Sequence, residues 1–108
     1  MYNFKEKYII DFTNVKYYLE MHYVIKEALD WPDYYGCNWD AFWDLLTNMV
    51  GRPIYIEIIG IENIEKRFDN TAFKMIEILR EFKHYEDDEF ADDIKIEVIR
   101  GDKVEIIE

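Results

Sequence analysis

Ile54-Tyr55-Ile56-Glu57-Ile58-Ile59, introduced by Pro53, is rich in β-branched residues and nearly continuous in its apolarity. Such a run reads as a strand covered on both sides and therefore central in a sheet. Toward the N-terminus, residues 8–12 form a second short apolar run with Asp11 inside it. Thr13 or Asn14 is placed to cap a helix running to about Leu29, with Leu19, Val24, Ile25 and Ala28 as its core side. That pattern must stop near Trp31, because Pro32 disfavours a helical residue before it. A tight loop containing Gly36 then leads to Asn38, a good N-cap for another helix.

Toward the C-terminus, residues 61–70 read as a connection with a short helix. Thr71 is expected to cap a longer one through about Tyr85, with Met75, Ile78, Leu79 and Phe82 facing inward. The acidic stretch 86–93 reads as a loop and 94–99 as a clean strand, and Gly101-Asp102 predicts a hairpin to a last strand over 104–107. Strands separated by helices imply βαβ units. The expected class is α/β, a small three-stranded parallel sheet packed with helices, with an extra antiparallel strand at its C-terminal edge. At 108 residues, 50% hydrophobic and 18% aromatic, residues 1–108 form one domain with ample core.

The formal charge of -11 argues against nucleic acid or an anionic membrane as a direct partner, since both attract lysine and arginine. A basic protein or basic site is favoured. No run approaches the 18 or so apolar residues of a membrane span. One cysteine, Cys37, permits no internal disulfide, and the N-terminal region lacks the pattern of a secretory signal, so the cytoplasm is the expected location.

The acid is arranged as well as abundant. With residues advancing by roughly 100° each along a helix after Asn38, Phe42, Leu45, Leu46 and Met49 share one side. Asp40, Trp43, Asp44 and Thr47 fall almost opposite. Like charges at i,i+4 repel, by about 0.2 to 0.5 kcal/mol, and an indole among water-facing carboxylates leaves apolar area in water. Stability alone does not select that face. A solvated helix face whose aspartates sit near the positive end of the helix dipole is the plainer explanation.

Catalysis by the aspartate pair is a weak reading. General acid and base work needs two carboxyls in different environments, and these share one exposed face. His22 and His84 are far apart, Cys37 is alone and the four glycines are scattered, so no metal site, Cys-His nucleophile pair or phosphate cradle is expected. No cofactor is implied. Recognition remains: a nuclease site gathers basic side chains around a phosphate, and a carboxylate offers a guanidinium two oxygens in its place. Tyr34 and Trp43 are residue types that anchor interfaces.

From Pro32 to Pro53 the chain resembles the barstar family of intracellular ribonuclease inhibitors. The shared features are a Pro-acid-Tyr-Tyr-Gly loop over 32–36 and an Asn-capped helix bearing Asp40, Ala41, Trp43, Asp44, Leu45 and Thr47 at the family's spacings. Leu79-Arg80-Glu81-Phe82-Lys83 also resembles the family's later helix. The resemblance implies the family's fold, and it implies a partner-binding surface of Tyr34, Asp40, Trp43, Asp44, Thr47 and Glu81 in which Asp44 fills the enzyme's phosphate site.

The expected partner is then a basic ribonuclease of the extracellular, barnase type or a related toxin, bound by a chain that is monomeric when free. The alternative is an acidic binding or immunity module for a different basic toxin or nucleic-acid-binding protein. Departures from the family pattern are Asn48 and Met49 for a Gly-Trp pair, Gly51-Arg52 for an acid and an aromatic, and Tyr85 where a further acid is expected. The residues beyond Ile99 lie outside the resemblance.

Overall fold

The computed structural model describes residues 7–49, 53–85 and 94–108. In chain order the elements are β1 (Tyr8–Asp11), α1 (Tyr18–Ala28), α2 (Trp39–Thr47), β2 (Ile54–Ile59), α3 (Ile61–Arg67), α4 (Thr71–Lys83), β3 (Ile94–Arg100) and β4 (Lys103–Ile106). They build one four-stranded sheet in the order β1-β2-β3-β4. β2 runs parallel to both neighbours, with Ile56 opposite Tyr8 on one side and Ile96 on the other. β4 returns antiparallel to β3 through the two-residue turn Gly101-Asp102, with Gly101 at φ 59°. The α/β class, the three parallel strands and the antiparallel edge strand are as the sequence predicts.

The expectation that β2 is covered on both sides is corrected. Its burial alternates: Ile54, Ile56 and Ile58 are buried, whereas Tyr55, Glu57 and Ile59 are half-buried. The reason is topological. Strand order follows chain order without reversal, and right-handed crossovers in such a sheet bring their helices to one face. The other face carries ions above an aromatic ring. Lys7 reaches Glu57 at 3.0 Å, the Tyr55 hydroxyl donates to Glu97 at 2.5 Å, and the Lys7 and Lys95 ammonium groups lie 5.3 and 4.9 Å from the Tyr55 ring centre. The apolarity of β2 is thus one buried row plus a half-covered row that neighbouring strands shield.

Helix starts depart from expectation where polar side chains are used elsewhere. Neither Thr13 nor Asn14 caps α1. The Asp11 carboxylate accepts the Thr13 N–H at 2.9 Å and its hydroxyl at 2.5 Å, closing a turn directly after β1. Asn63 fastens the same segment, its Nδ2 donating to the carbonyls of Phe12 and Val15, both at 2.8 Å. α1 therefore begins only at Tyr18, where Glu20 accepts the backbone N–H groups of Lys16 and Tyr17 at 2.7 and 3.3 Å. This delay turns Leu19 outward, 54% exposed, and makes Met21, His22, Ile25 and then Leu29 the inward side.

At α4, Thr71 is the first helical residue and not the cap. Asn70 holds the cap position in the left-handed region at φ 52°. Beyond β4, Ile107 turns back into the core and its N–H donates to the Ile96 carbonyl at 2.9 Å, so the last strand ends one residue earlier than expected. The predicted acidic loop over 86–93 and the Gly51-Arg52 departure lie outside the described residues.

Candidate partner-binding surface

The loop between α1 and α2 is fixed from both ends. Tyr35 N–H donates to the Pro32 carbonyl at 3.1 Å, and Lys26 on α1 holds the Asp33 carboxylate at 2.8 Å. That hydrogen bond and its charge keep Asp33 below the usual carboxylate range. The two adjacent tyrosines then part company. Tyr35 is buried with its hydroxyl 2.6 Å from His22 Nδ1, and burial raises its phenol above the ordinary value. Tyr34 is 79% exposed. A buried neighbour thus anchors an exposed one.

Asn38 sets the start of α2. Its Oδ1 accepts the Ala41 N–H at 2.8 Å, and its Nδ2 donates to the Gly36 carbonyl at 3.2 Å. This joins loop to helix through one side chain. Phe42 and Leu46 are buried under α2, and its rings continue the packing: Trp39 lies 4.9 Å from His22 and 5.2 Å from Phe42, while Trp31 lies 5.1 Å from Tyr35. Loop, helix α1 and helix α2 share one aromatic cluster, so the exposed groups they carry stand on a rigid base.

The opposite face of α2 borders a cleft of about 900 Å³ against α4. Trp39, Asp40, Trp43 and Asp44 form one wall. Phe73, Lys74, Glu77, Ile78 and Glu81 form the other, at the 3- and 4-residue spacings of one helical face. Four carboxylates and one ammonium line this space. Negative charge is thereby concentrated over an apolar floor, where Coulomb interactions with an incoming cation are stronger than in open water.

Four of the predicted residues, Asp40, Trp43, Asp44 and Glu81, meet in this cleft. Tyr34 and Thr47 do not line it. The Thr47 hydroxyl is turned onto its own helix, donating to the carbonyls of Trp43 at 3.0 Å and Asp44 at 3.1 Å. Trp43 is less wet than its helical position suggests: it is half-buried, packs on the core and meets Tyr85 edge to face at 5.3 Å and 90°. The apolar cost anticipated for that indole is correspondingly reduced. Met49 is buried, in keeping with the predicted core side of α2, so its side chain adds nothing to the exposed surface.

Sequence reading missed the α4 wall other than Glu81, and it assigned Ile78 wholly to the core. The spacing 73, 74, 77, 78, 81 was the available signal, a second stripe beside the inward one. It also left His22 as a surface or satisfied helix residue, whereas the ring is fully buried, with Nε2 lacking a hydrogen-bond partner among the described residues. Among those residues no group of three or more His, Cys, Asp or Glu is placed to hold a metal, and no helix is long and apolar enough to cross a membrane.

A family model described as Barstar (barnase inhibitor) matches residues 6–97. The chain belongs to the barstar family. It is also 35% identical over 80 residues to a Bacillus subtilis (strain 168) protein named "Putative ribonuclease inhibitor YrdF", a match covering 74% of this chain and 85% of that one. Barstar membership supports a ribonuclease-inhibitor role, one of binding a ribonuclease rather than of turnover. The barstar match takes in the α1–α2 loop, α2 and α4, and stops within β3, so β4 lies outside it.

Proposed function

We propose that the chain is an intracellular inhibitor of a basic, barnase-type ribonuclease, acting by occlusion of the active site. Asp44 stands in for a substrate phosphate, Asp40 and Glu81 meet further basic side chains, and Trp43 and Tyr34 supply apolar contact. Thr47 borders this surface on α2. The observation that carries the reading is the cleft in which two helices distant in sequence bring Asp40, Asp44 and Glu81 around Trp43, in a chain of the barstar family with net charge -11.

No covalent step is required. A carboxylate accepts a guanidinium through two parallel hydrogen bonds, as a phosphate does, and cannot be cleaved. The loop and α2 are already fixed by the His22–Tyr35 and Asn38 contacts, so binding does not have to order them. Guarding a cell against a nuclease calls for nanomolar affinity or better, roughly -12 kcal/mol, which an interface of ordinary size reaches when charge pairs and aromatic anchors are well packed.

The test is RNA cleavage by a barnase-type ribonuclease titrated with this chain and with Asp44→Ala, at low and moderate salt. Near-stoichiometric inhibition by the wild type, lost in the variant, is the expected result. Asp44 is exposed, so its truncation leaves the core intact. Inhibition unchanged in Asp44→Ala would rule out the phosphate-mimic mechanism.

A further inference from the structure

Phe73 is the anomaly of the cleft. It is a phenylalanine 66% exposed on the first turn of α4, whose inward side is Ala72, Met75, Leu79 and Phe82. Nothing in the core requires an aromatic there. It stands on a ridge, lining the α2–α4 cleft on one side and, on the other, a depression of about 390 Å³ bordered by Phe68, Ile76 and Arg80. One turn further along the same face is Glu77. Its Oε2 is engaged by Arg80 at 3.1 Å in a half-exposed pair, a kind of contact that contributes little and exchanges readily.

We propose that Phe73 and Glu77 form a second recognition point of the partner surface, taking an arginine of the partner that lies outside the reach of Asp44. Residues four apart on a helix have Cβ atoms about 5–6 Å apart. A planar guanidinium stacked on the Phe73 ring therefore brings its N–H edge to the Glu77 carboxylate. Arginine suits this better than lysine, because it stacks on a ring face and forks to two oxygens at once, whereas an ammonium is compact and strongly hydrated.

The consequence is selectivity. An acidic surface attracts any basic protein, but a ring and a carboxylate at fixed spacing accept only a partner with an arginine at the matching place. The inference rests on the binding role proposed above, though not on the partner being a ribonuclease.

The experiment is a backbone-amide NMR titration of the full chain with Nα-acetyl-L-arginine methylamide, and in parallel with its lysine counterpart. Saturable shifts at Phe73 and Glu77 are expected, with the arginine compound binding at least about threefold more tightly than lysine, the order expected for an exposed stacked cation. Phe73→Ala and Glu77→Gln should each weaken the response by a similar factor, while Asp44→Ala retains it. Silence at Phe73 and Glu77, equal response to lysine, or an unchanged titration in Phe73→Ala would overturn the inference. Probe binding at Phe73 by a chain that does not inhibit the ribonuclease would leave this inference standing and overturn the ribonuclease reading. Inhibition with Phe73 silent would do the reverse.

Discussion

Lowering the pH from 7 to 5 should reduce folding stability by about 2 kcal/mol through His22 alone. The ring is fully buried between Tyr18, Tyr35 and Trp39, with Nδ1 on the Tyr35 hydroxyl and Nε2 without a partner among the described residues. Burial lowers its pKa from 6.5 to about 4. The folded state therefore keeps the ring neutral while the unfolded chain takes up a proton. The stabilisation is complete above pH 6.5, falls as pH drops below that value, and stops falling near pH 4. A shift of that size is worth about 3 kcal/mol in full and about 2 kcal/mol by pH 5.

The window separates His22 from the carboxylates. Asp11 is held below its usual range by the hydrogen bonds of Thr13, and Asp33 by Lys26, so both lose their contribution only at lower pH. Urea unfolding of the wild type and of His22→Gln at pH 7 and pH 5 measures the difference. The wild type should lose about 2 kcal/mol more than the variant across that interval. Equal losses would show that the protonated ring is accommodated, and would refute the argument from burial. Since Tyr35 adjoins Tyr34, and Trp39 adjoins Asp40, partner binding should weaken over the same interval.

Removing the cap of α2 with Asn38→Ala should lower stability by about 1 kcal/mol in thermal unfolding, and it should weaken inhibition because loop and helix lose their shared side chain. Gly60→Ala should cost more, about 2 kcal/mol or above. Gly60 sits at φ 78°, and an added Cβ would lie 2.6 Å from the Thr13 nitrogen. Asn63→Ala leaves two carbonyls of the β1–α1 turn without their 2.8 Å donors and should destabilise by about 1–3 kcal/mol in urea unfolding. Asp40→Asn with Asp44→Asn should slow association with a basic ribonuclease and flatten its dependence on ionic strength, measured by stopped flow. An association rate insensitive to salt in the wild type would count against electrostatic capture.

Elements governed by local signals were legible in the sequence. The β-branched runs mark β1, β2 and β3, Asn38 caps α2, and Gly101-Asp102 turns the sheet back on itself, whereas α1 stops at Ala28, before Pro32 can act, with Asp30 in the left-handed region at φ 56°. What the sequence hid was competition for polar side chains and the count of covered faces. Thr13 is an adequate cap until Asp11 takes its N–H and hydroxyl, and that competitor becomes visible only once β1 ends where it does. In β2 the outward row is Tyr55, Glu57 and Ile59, so the alternation was present, but the strand's four isoleucines read as one continuous apolar run. At the candidate site, the α2 wall was readable from helical spacing, but the α4 wall was masked by the stronger inward stripe. Glu81 was found through family resemblance, and Phe73 and Glu77 had no such guide.

The strand order also dictates a sequence of assembly. Among the described residues β1 pairs with β2 alone, Tyr8 opposite Ile56, and all of α2 lies inside the loop that this pairing closes. A ribosome-bound chain that has delivered residue 47 holds every acid of the first wall but has no sheet on which to set it. α4 in turn belongs to the crossover closed by β3, and Lys83 at its end donates to the Ile94 carbonyl. Such long-range closures are slow relative to helix formation. The groove is therefore a late product of synthesis, and a prematurely ended chain lacking β3 leaves the second wall without its strand, however complete its acidic residues.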